Sequence, residues 1–202
     1  AELHACPHPL KALLGETGMC QEAHNGTRFP RVYVGEANGV PFLSSSDIIG
    51  LRPERGNYLS RKHTPKLDLL TIQPWMVLVS RSGTIGNVSL ASPRMAGWAL
   101  SEHAIRFISA YLRSHWGREQ LRGLTYGSVI QHIEPHHLEL VWIPDLPAIR
   151  RIAIGRAFVD AALKRDEANH KLDEADALLC TALKLPRLPV PANGPVVSTV
   201  RA

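Results

Sequence analysis

The feature that most constrains the fold is a long stretch without proline near the C-terminus, residues 148–185. It contains one glycine, and seven Lys or Arg residues are interleaved with six Asp or Glu residues. This composition predicts a long helix with a solvated, charge-balanced surface, about 55 Å in length at a rise of about 1.5 Å per residue. Such a helix either pairs with a second helix or packs against its own domain.

The spacing of apolar and small residues along this helix favours a two-helix coiled coil. Phe158, Leu172 and Leu179 fall at multiples of seven residues, with Arg165 in the same register. Alanines lie close to the second seam of that heptad pattern, and small side chains let two helices approach closely. The predicted interface consists of Phe158, Ala161, Ala162, Ala168, Leu172, Ala175 and Leu179. The alternative is a helix packed against its own domain.

The part of the chain before this helix predicts a mixed α/β unit with short strands. Apolar or β-branched runs predict strands, and turn residues separate them. The predicted strands are residues 31–34, 40–43, 75–80, 85–91, 104–108, 129–133 and 138–143. Helical segments are expected at residues 9–15, 48–49, 67–72 and 109–121. The fold class is therefore mixed α/β, a small globular domain with short strands followed by a long C-terminal coiled-coil helix.

Four segments follow from these patterns. Residues 1–27 form an N-terminal segment of unclear role, residues 28–147 form the globular domain, and residues 148–185 form the helix. The tail 186–202 holds four prolines and has no periodicity, so it is predicted to be disordered. At 202 residues and 45% hydrophobic content, the chain can bury a sizeable core.

Composition also limits where such a chain works. It has no apolar run of about 18 residues, which a transmembrane helix needs. Its first residues lack the basic region and apolar stretch of a signal peptide. Three widely spaced cysteines do not make a disulfide framework. These features predict a cytoplasmic protein without membrane contact.

The net charge of +5 is concentrated in the middle of the chain. Residues 28–94 carry nine Lys or Arg against four acids. A run within this region, with only Glu54 as counter-charge, comprises Arg52, Arg55, Arg61, Lys62 and Lys66. Such a run suits the neutralisation of DNA phosphates, because each cation that contacts a phosphate releases condensed counterions. The alternative is a solvated basic loop.

The turn between the strands at 75–80 and 85–91 is a second candidate for DNA contact. It carries Arg81 between hydroxyl residues, Ser82 and Thr84, and Gly83 permits a backbone conformation that other residues resist. Exposed amides and hydroxyls beside an arginine suit a phosphate group. The predicted DNA-binding residues of this turn are Arg81, Ser82 and Thr84, and the alternative is a hairpin turn that only connects two strands.

Neither catalysis nor metal binding is predicted. The sequence lacks a glycine-rich nucleotide loop, the motif of amino-methyltransferases and a nuclease constellation. Two candidate metal groups were weighed: one is Cys6, His8, Cys20 and His24, and the other is His132, His136 and His137. The first set has ligands acceptable to structural zinc. Its tight spacing favours incidental clustering, and exposure or core packing accounts for the second set.

Several short motifs occur in a fixed order before the long helix. They lie at residues 39–43 (GVPFL), 47–48 (DI), 78–86 (LVSRSGTIG), 111–114 (YLRS), 117–121 (GREQL), 127–133 (GSVIQHI) and 142–144 (WIP). In this order they resemble the DNA-specificity (S) proteins of Type I restriction–modification systems, in which a target recognition domain precedes a long helix. The chain holds one such unit where two are usual. Arg150, Arg151 and Ile152 stand where glutamine and isoleucine often open the helix.

The resemblance implies a non-enzymatic specificity subunit or half-subunit. Its domain recognises one half of a bipartite target in double-stranded DNA, and its helix pairs with a second copy or second half. Modification methyltransferase subunits are the implied partners, with a restriction or translocase subunit as a further one. S-adenosylmethionine is bound by the methyltransferase, and this chain needs no cofactor.

Two other interpretations stay open. The first is the C-terminal specificity domain of a single-chain restriction–methylation enzyme, which a methyltransferase motif upstream would identify. A coiled-coil interaction adaptor whose domain never touches DNA is the second. A small hydrolase is disfavoured, because no nucleophile and base occur in a recognisable arrangement.

Overall fold

The computed structural model describes residues 5–20, 23, 29–44, 47–53, 57–82, 85–100, 109–127 and 132–186. This part of the chain contains short strands, short helices and one long C-terminal helix. The predicted fold class, mixed α/β with short strands before a long helix, is confirmed. Within the described residues, no helix combines the length and the apolar character that a bilayer crossing requires.

The strands form three small sheets. The strands are β1 (Leu10–Ala12), β2 (Gly39–Leu43), β3 (Tyr58–Ser60), β4 (Val77–Val79), β5 (Val88–Leu90), β6 (Ala99–Leu100) and β7 (Trp142–Pro144). β1 pairs with β7 and β4 with β5, both antiparallel. β2 lies between β3, which is antiparallel to it, and β6, which is parallel.

The helices are α1 (Leu67–Leu70), α2 (Ser109–Arg113), α3 (His115–Gly123) and α4 (Ala148–Leu183). Short 3-10 turns occupy Glu36–Asn38, Asp47–Ile49, Pro93–Met95 and Pro135–Leu140. α4 begins directly after Pro147 and ends at Lys184, whose φ of 51° turns the backbone out of the helix. The predicted helix is therefore confirmed to within two residues at its end.

The buried apolar residues fall into three clusters, and β4 contributes to two of them. Val77 and Val79 pack into the largest cluster, whereas Leu78 packs into a second one on the other face. Successive side chains of a strand point to opposite faces, so a strand between two clusters has no polar positions. This is why residues 75–79 are continuously apolar in sequence. The predicted pairing of the two strands around residue 83 is confirmed.

Part of the N-terminal segment, residues 10–14, pairs and packs with the rest of the domain. Residues 10–12 form β1 instead of a helix, and they pair with β7 at the far end of the domain. Leu13 and Leu14 follow the strand and are buried in the largest cluster. Because both the backbone pairing and the core need this segment, the role of residues 10–14 is structural.

The predicted helix over residues 109–121 is broken into two at Ser114. Ser114 has an extended backbone, with ψ near 165°, and its hydroxyl accepts a hydrogen bond from the amide of Gly117. A serine in this position is a favoured N-cap, so it starts a new helix. Gly117 is needed there because a Cβ atom would lie 2.3 Å from the carbonyl oxygen of Tyr111.

Other predicted elements differ in their extent. Residues 135–140 form a 3-10 turn, so the last strand begins only at Trp142. Residues 31–34 make one isolated bridge, between Tyr33 and Leu59, and the basic segment 52–66 includes β3. The predicted strand 104–108 and most of 129–133 lie outside the described residues, as do 187–202 of the tail.

Candidate nucleic-acid interface

The end of β4 meets a segment about fifty residues further along the chain. The amide of Ile133 donates to the carbonyl oxygen of Arg81 over 3.1 Å. Ser82 forms a bridge with His132, which in turn exchanges two backbone hydrogen bonds with Tyr126. The structure therefore brings together two segments that sequence analysis singled out separately, residues 78–86 and 127–133.

Side chains extend this junction into a polar group, here named the Arg81 cluster: Arg81, Ser82, Tyr126, His132 and Glu134. The guanidinium of Arg81 forms an ion pair with the Glu134 carboxylate at 2.7 Å, and its Nε donates to the carbonyl oxygen of Ile133 over 3.2 Å. The Tyr126 hydroxyl donates to the same carboxylate oxygen over 2.8 Å. Arg81 is thus held in one orientation from two directions.

The electrostatics of the Arg81 cluster keep Glu134 ionised. Partial burial raises the pKa of Glu134, but hydrogen bonds from Arg81 and Tyr126 outweigh it and lower the pKa below its ordinary value. The hydrogen bond to Glu134 raises the pKa of Tyr126. At neutral pH the carboxylate is therefore charged and the phenol remains a proton donor.

The remaining members of the cluster carry hydrogen-bonding and aromatic groups. The Ser82 hydroxyl lies 2.8 Å from Nδ1 of His132. The ring of Tyr126 is 5.9 Å from that of His132 and 5.6 Å from that of His137, and Tyr126 is 47% exposed. Hydroxyl, imidazole and phenol groups at an exposed position are capable of hydrogen bonds to base edges or phosphates. Gly83 and Thr84 lie outside the described residues.

A second group of candidate residues lies in the turn that follows β3, here named the basic turn: Arg61, Lys62 and Lys66. All three are exposed. In the part of the chain that the structure describes, none of them forms an ion pair. The turn is shaped by Ser60, whose hydroxyl accepts from the amide of His63 and whose carbonyl accepts from that of Thr64. Three exposed cations on an ordered turn suit phosphate contacts.

Arg52, the first residue of the predicted basic run, forms ion pairs with α4. Its guanidinium donates to Asp173 over 2.5 Å and to Asp176 over 3.0 Å, both on α4. The hydrogen bond to Asp176 raises the pKa of Arg52 further, so the side chain stays charged. Arg52 thus fastens α4 to the domain, and its predicted contact with phosphate stays a prediction. Arg55 lies outside the described residues.

One side of α4, here named the inner face, packs against the domain. It consists of Phe158, Ala162, Arg165, Asp166, Asn169 and Asp173. Phe158 and Ala162 join the largest apolar cluster, and Ala162 is only 6% exposed. The chain's own core thus covers Ala162 and part of Phe158, and the predicted contact of these two residues with a second helix stays a prediction.

The rest of the inner face is polar. Arg165 donates to the Ser89 hydroxyl over 3.0 Å and to the carbonyl oxygen of Leu90 over 2.9 Å. Asn169, 1% exposed, donates to the carbonyl oxygen of Leu51 over 2.7 Å. The contacts of Arg165 thus satisfy the hydroxyl of the buried Ser89 and the carbonyl of the buried Leu90, which burial would otherwise leave unpaired.

The other predicted interface residues lie about 100° around α4 from the inner face, on a side here named the outer face. It consists of Ala161, Ala168, Leu172, Ala175 and Leu179. All five are exposed in the single chain; Leu172 is 38% and Leu179 58% exposed. Their contact with a second helix stays a prediction, and the structure leaves their surface accessible.

Sequence reasoning missed the acidic partners of both arginine groups. Glu134 follows the 127–133 motif, but nothing in the sequence pairs it with Arg81, 53 positions away. Asp173 appeared as one of several acids on a charge-balanced helix. A signal existed only for the histidines, since His132 belongs to the second group weighed for metal binding.

Metal binding has no support among the described residues. No three His, Cys, Asp or Glu side chains converge there as a metal site would require. His24 of the first candidate set lies outside the described part. Burial raises the pKa of the Cys20 thiol to about 11.

No protein-family model and no curated protein matches the sequence. A crystal structure of a Type I restriction-modification system S subunit from M. genitalium is similar in fold, with a TM-score of 0.49 and 15% sequence identity. The alignment covers 85% of this chain and 47% of that chain. The chain thus spans about half the length of that subunit.

Proposed function

We propose that this chain is a DNA-binding specificity subunit, or half-subunit, of a restriction–modification or related DNA-methylation defence system. The observation that carries the proposal is the junction at the Arg81 cluster. The two motifs on which the family resemblance most depends, separated by about fifty residues, form one surface there. A common surface is what recognition of one ligand requires.

The proposed division of labour has two parts. Arg61, Lys62 and Lys66 contact phosphates and fix the position of the domain on the duplex, without sequence preference. The Arg81 cluster supplies donors and acceptors for base edges, with Ser82, Tyr126 and His132 as exposed or half-exposed members. Glu134 holds Arg81 in place for that contact.

The long helix places two recognition domains on one DNA molecule. The outer face pairs with the same face of a second copy, or of a second half, while the inner face carries the domain. The proposed assembly binds modification methyltransferase subunits, which supply S-adenosylmethionine and the chemistry, and a restriction or translocase subunit is a further partner. The chain itself is proposed to be non-catalytic and cytoplasmic.

A binding selection from a randomised duplex pool, repeated at two salt concentrations, tests the proposal. We expect enrichment of a motif of about three to five base pairs, since one recognition element spans about that length of groove. Weak, salt-sensitive binding without enrichment would contradict sequence recognition by this chain alone. No binding at either salt concentration would contradict the proposal and favour the adaptor interpretation.

Arg61→Ala tests the assignment of the basic turn. Loss of one phosphate contact reduces the slope of log affinity against log salt by about one. Lys171→Ala is the matched control, because Lys171 is an exposed cation that pairs with Glu174 along α4. An unchanged slope for Arg61→Ala, or an equal change for Lys171→Ala, would show that the basic turn does not contact the DNA phosphates.

A further inference from the structure

α4 is joined to its domain by charged and polar groups over a considerable length. From Asp166 to Asp176 the helix extends about 15 Å. Along this length its carboxylates contact two separate loops of the domain, one at Arg52 and one at residues 92–94. The helix is therefore held at two places, and two fixed places define an angle.

The Asp173 carboxylate is the centre of this joint, here named the Asp173 cluster: Arg52, Arg94, Asp166, Asp173 and Asp176. Arg94 donates to one oxygen of Asp173 over 2.8 Å, and Arg52 donates to the other over 2.5 Å. Asp166 accepts from the backbone amide of Arg94 over 3.0 Å. The loop that carries Arg94 is thus held by its side chain and by its backbone, from two positions on α4.

The contacts of the Asp173 cluster are better suited to fixing the orientation of α4 on the domain than to supplying its apolar packing energy. Apolar contacts are non-directional, and a small sliding of Phe158 or Ala162 against the core costs little. Charge-assisted hydrogen bonds are short and depend on geometry. Burial raises the pKa of Asp173, but the hydrogen bond from Arg94 and the charges of Arg94 and Arg52 outweigh it, so the carboxylate stays ionised. Rotation of α4 on the domain would break several such bonds together.

We propose that the Asp173 cluster fixes the angle between the domain and α4, and through it the distance between the two DNA half-sites. The second part of this proposal rests on the proposed function. Arg94 and Asp173 are positioning residues, since they act through the helix and not by contact with DNA. In a paired assembly, a change of angle at each joint displaces both domains along the duplex.

A distance measurement between two spin labels on the full chain tests the angle directly. The reference chain carries Cys6→Ser, Cys20→Ala and Cys180→Ser, with labels at Glu36→Cys on the domain and Leu178→Cys near the end of α4. Both labelled positions are exposed. Labelled chains are diluted into an excess of the same chain without the two label cysteines, so that a paired assembly contributes only the distance within one chain. Double electron–electron resonance is then expected to give a single narrow distance distribution.

Loss of charge in the cluster is expected to widen that distribution at least about twofold. Asp173→Asn removes the charge with little change of shape, and Arg94→Gln removes it from the domain side. Asp173→Glu, which keeps the charge, should restore most of the narrow distribution. Glu174→Gln is the matched control, because Glu174 pairs with Lys171 and His170 along the helix. A narrow, unshifted distribution in both Asp173→Asn and Arg94→Gln overturns the proposal, whatever the chain binds.

A separate measurement tests whether the angle between the domain and α4 determines the distance between the DNA half-sites. In the duplex selection, Asp173→Asn should enrich the same half-site bases as the reference chain, but over several spacings instead of one. An unchanged spacing preference in a variant with a widened distance distribution overturns the link between the angle and the half-sites. Failure of the reference chain to enrich any motif contradicts the proposed function, whereas the widened distribution would still support the role of the Asp173 cluster in orientation.

Discussion

The inner and outer faces of α4 differ in almost every property, although neighbouring residues belong to them. Ala161 and Ala162 are adjacent and point about 100° apart around the helix. Ala161 is exposed, whereas Ala162 is buried in the largest apolar cluster. Beyond Ala162 the inner face is mainly polar and the outer face is apolar. In the single chain, the face that packs is therefore the one with fewer apolar residues.

This difference shows what a heptad pattern does and does not reveal. The pattern of Leu172, Leu179 and the alanines lies on the outer face, and it indicates a surface suited to a second helix. The inner face uses Arg165, Asn169 and Asp173, residue types that pattern analysis assigns to solvent. Polar groups that bind buried partners have no apolar period, so the docking of α4 on the domain was not detectable in this way.

The largest expected effect separates the two faces at adjacent positions. Ala162→Asp places a carboxylate in an apolar cluster, and we expect it to lower the free energy of unfolding by about 3 kcal/mol or more. Ala161→Asp should cost only about 0.5 kcal/mol, the difference in helix propensity. Urea unfolding followed by circular dichroism measures both. Equal losses would show that the two faces do not differ in packing.

A second pair of adjacent residues tests the polar part of the inner face. Arg165→Met leaves the Ser89 hydroxyl, 1% exposed, and the Leu90 carbonyl without their donor, and we expect a loss of about 2 kcal/mol. Lys164→Met, on the exposed side, should change the stability by less than about 0.5 kcal/mol. A fully stable Arg165→Met protein in the same urea titration would mean that the hydrogen bonds of Arg165 do not stabilise the docking of α4.

The outer face is tested by self-association. Leu179→Asp places a charge at the C-terminal end of the predicted helix interface, and we expect the dimer dissociation constant to rise at least about tenfold, or about 1.4 kcal/mol. Ile149→Asp, which changes a residue 78% exposed at the other end of α4, should leave it nearly unchanged. Sedimentation equilibrium gives both constants. A monomeric wild-type chain at all concentrations would contradict the coiled coil.

The smallest expected effect is the change of stability with pH that Asp173 contributes. The pKa of Asp173 is lower in the folded chain than its ordinary value of about 3.9. A depressed carboxyl pKa contributes stability that is complete above the unfolded value and is lost as the pH falls through the folded one. Asp173→Asn should therefore lower the free energy of unfolding by about 1 kcal/mol at pH 7 and by less at pH 3. At each pH, the exposed control Glu174→Gln should lower it by less than Asp173→Asn does. If the loss of stability in Asp173→Asn became larger as the pH falls, it would contradict the ion pairs of Asp173.

The fold was predictable where short-range patterns determine it. The buried strands β4 and β5 and the bounds of α4 follow from apolar runs, turn residues and the absence of proline. Sequence reasoning failed where long-range pairing decides the structure, since β1 is a strand only because β7, about 130 residues away, supplies its partner. The split at Ser114 was readable in principle, because serine three residues before a glycine amide is a favoured N-cap.

In the candidate site too, short-range patterns were informative and long-range contacts were not predictable. Arg81 and Ser82 were identified from their turn, and the structure places them beside His132. Their partners Tyr126 and Glu134 come from a distant segment, and a single sequence carries no information on that contact. Arg52 belonged to a basic run, but two acids that are distant in sequence determine where it points.

The most direct test of the whole account repeats the duplex selection with the wild-type chain and with Leu179→Asp. We assign base recognition to the domain and pairing to the outer face of α4, and this assignment leads to one prediction. It therefore predicts a paired motif at a fixed spacing for the wild type, and a single half-site with the same bases for Leu179→Asp. The same paired motif from both proteins, or no motif from the wild type, would contradict it.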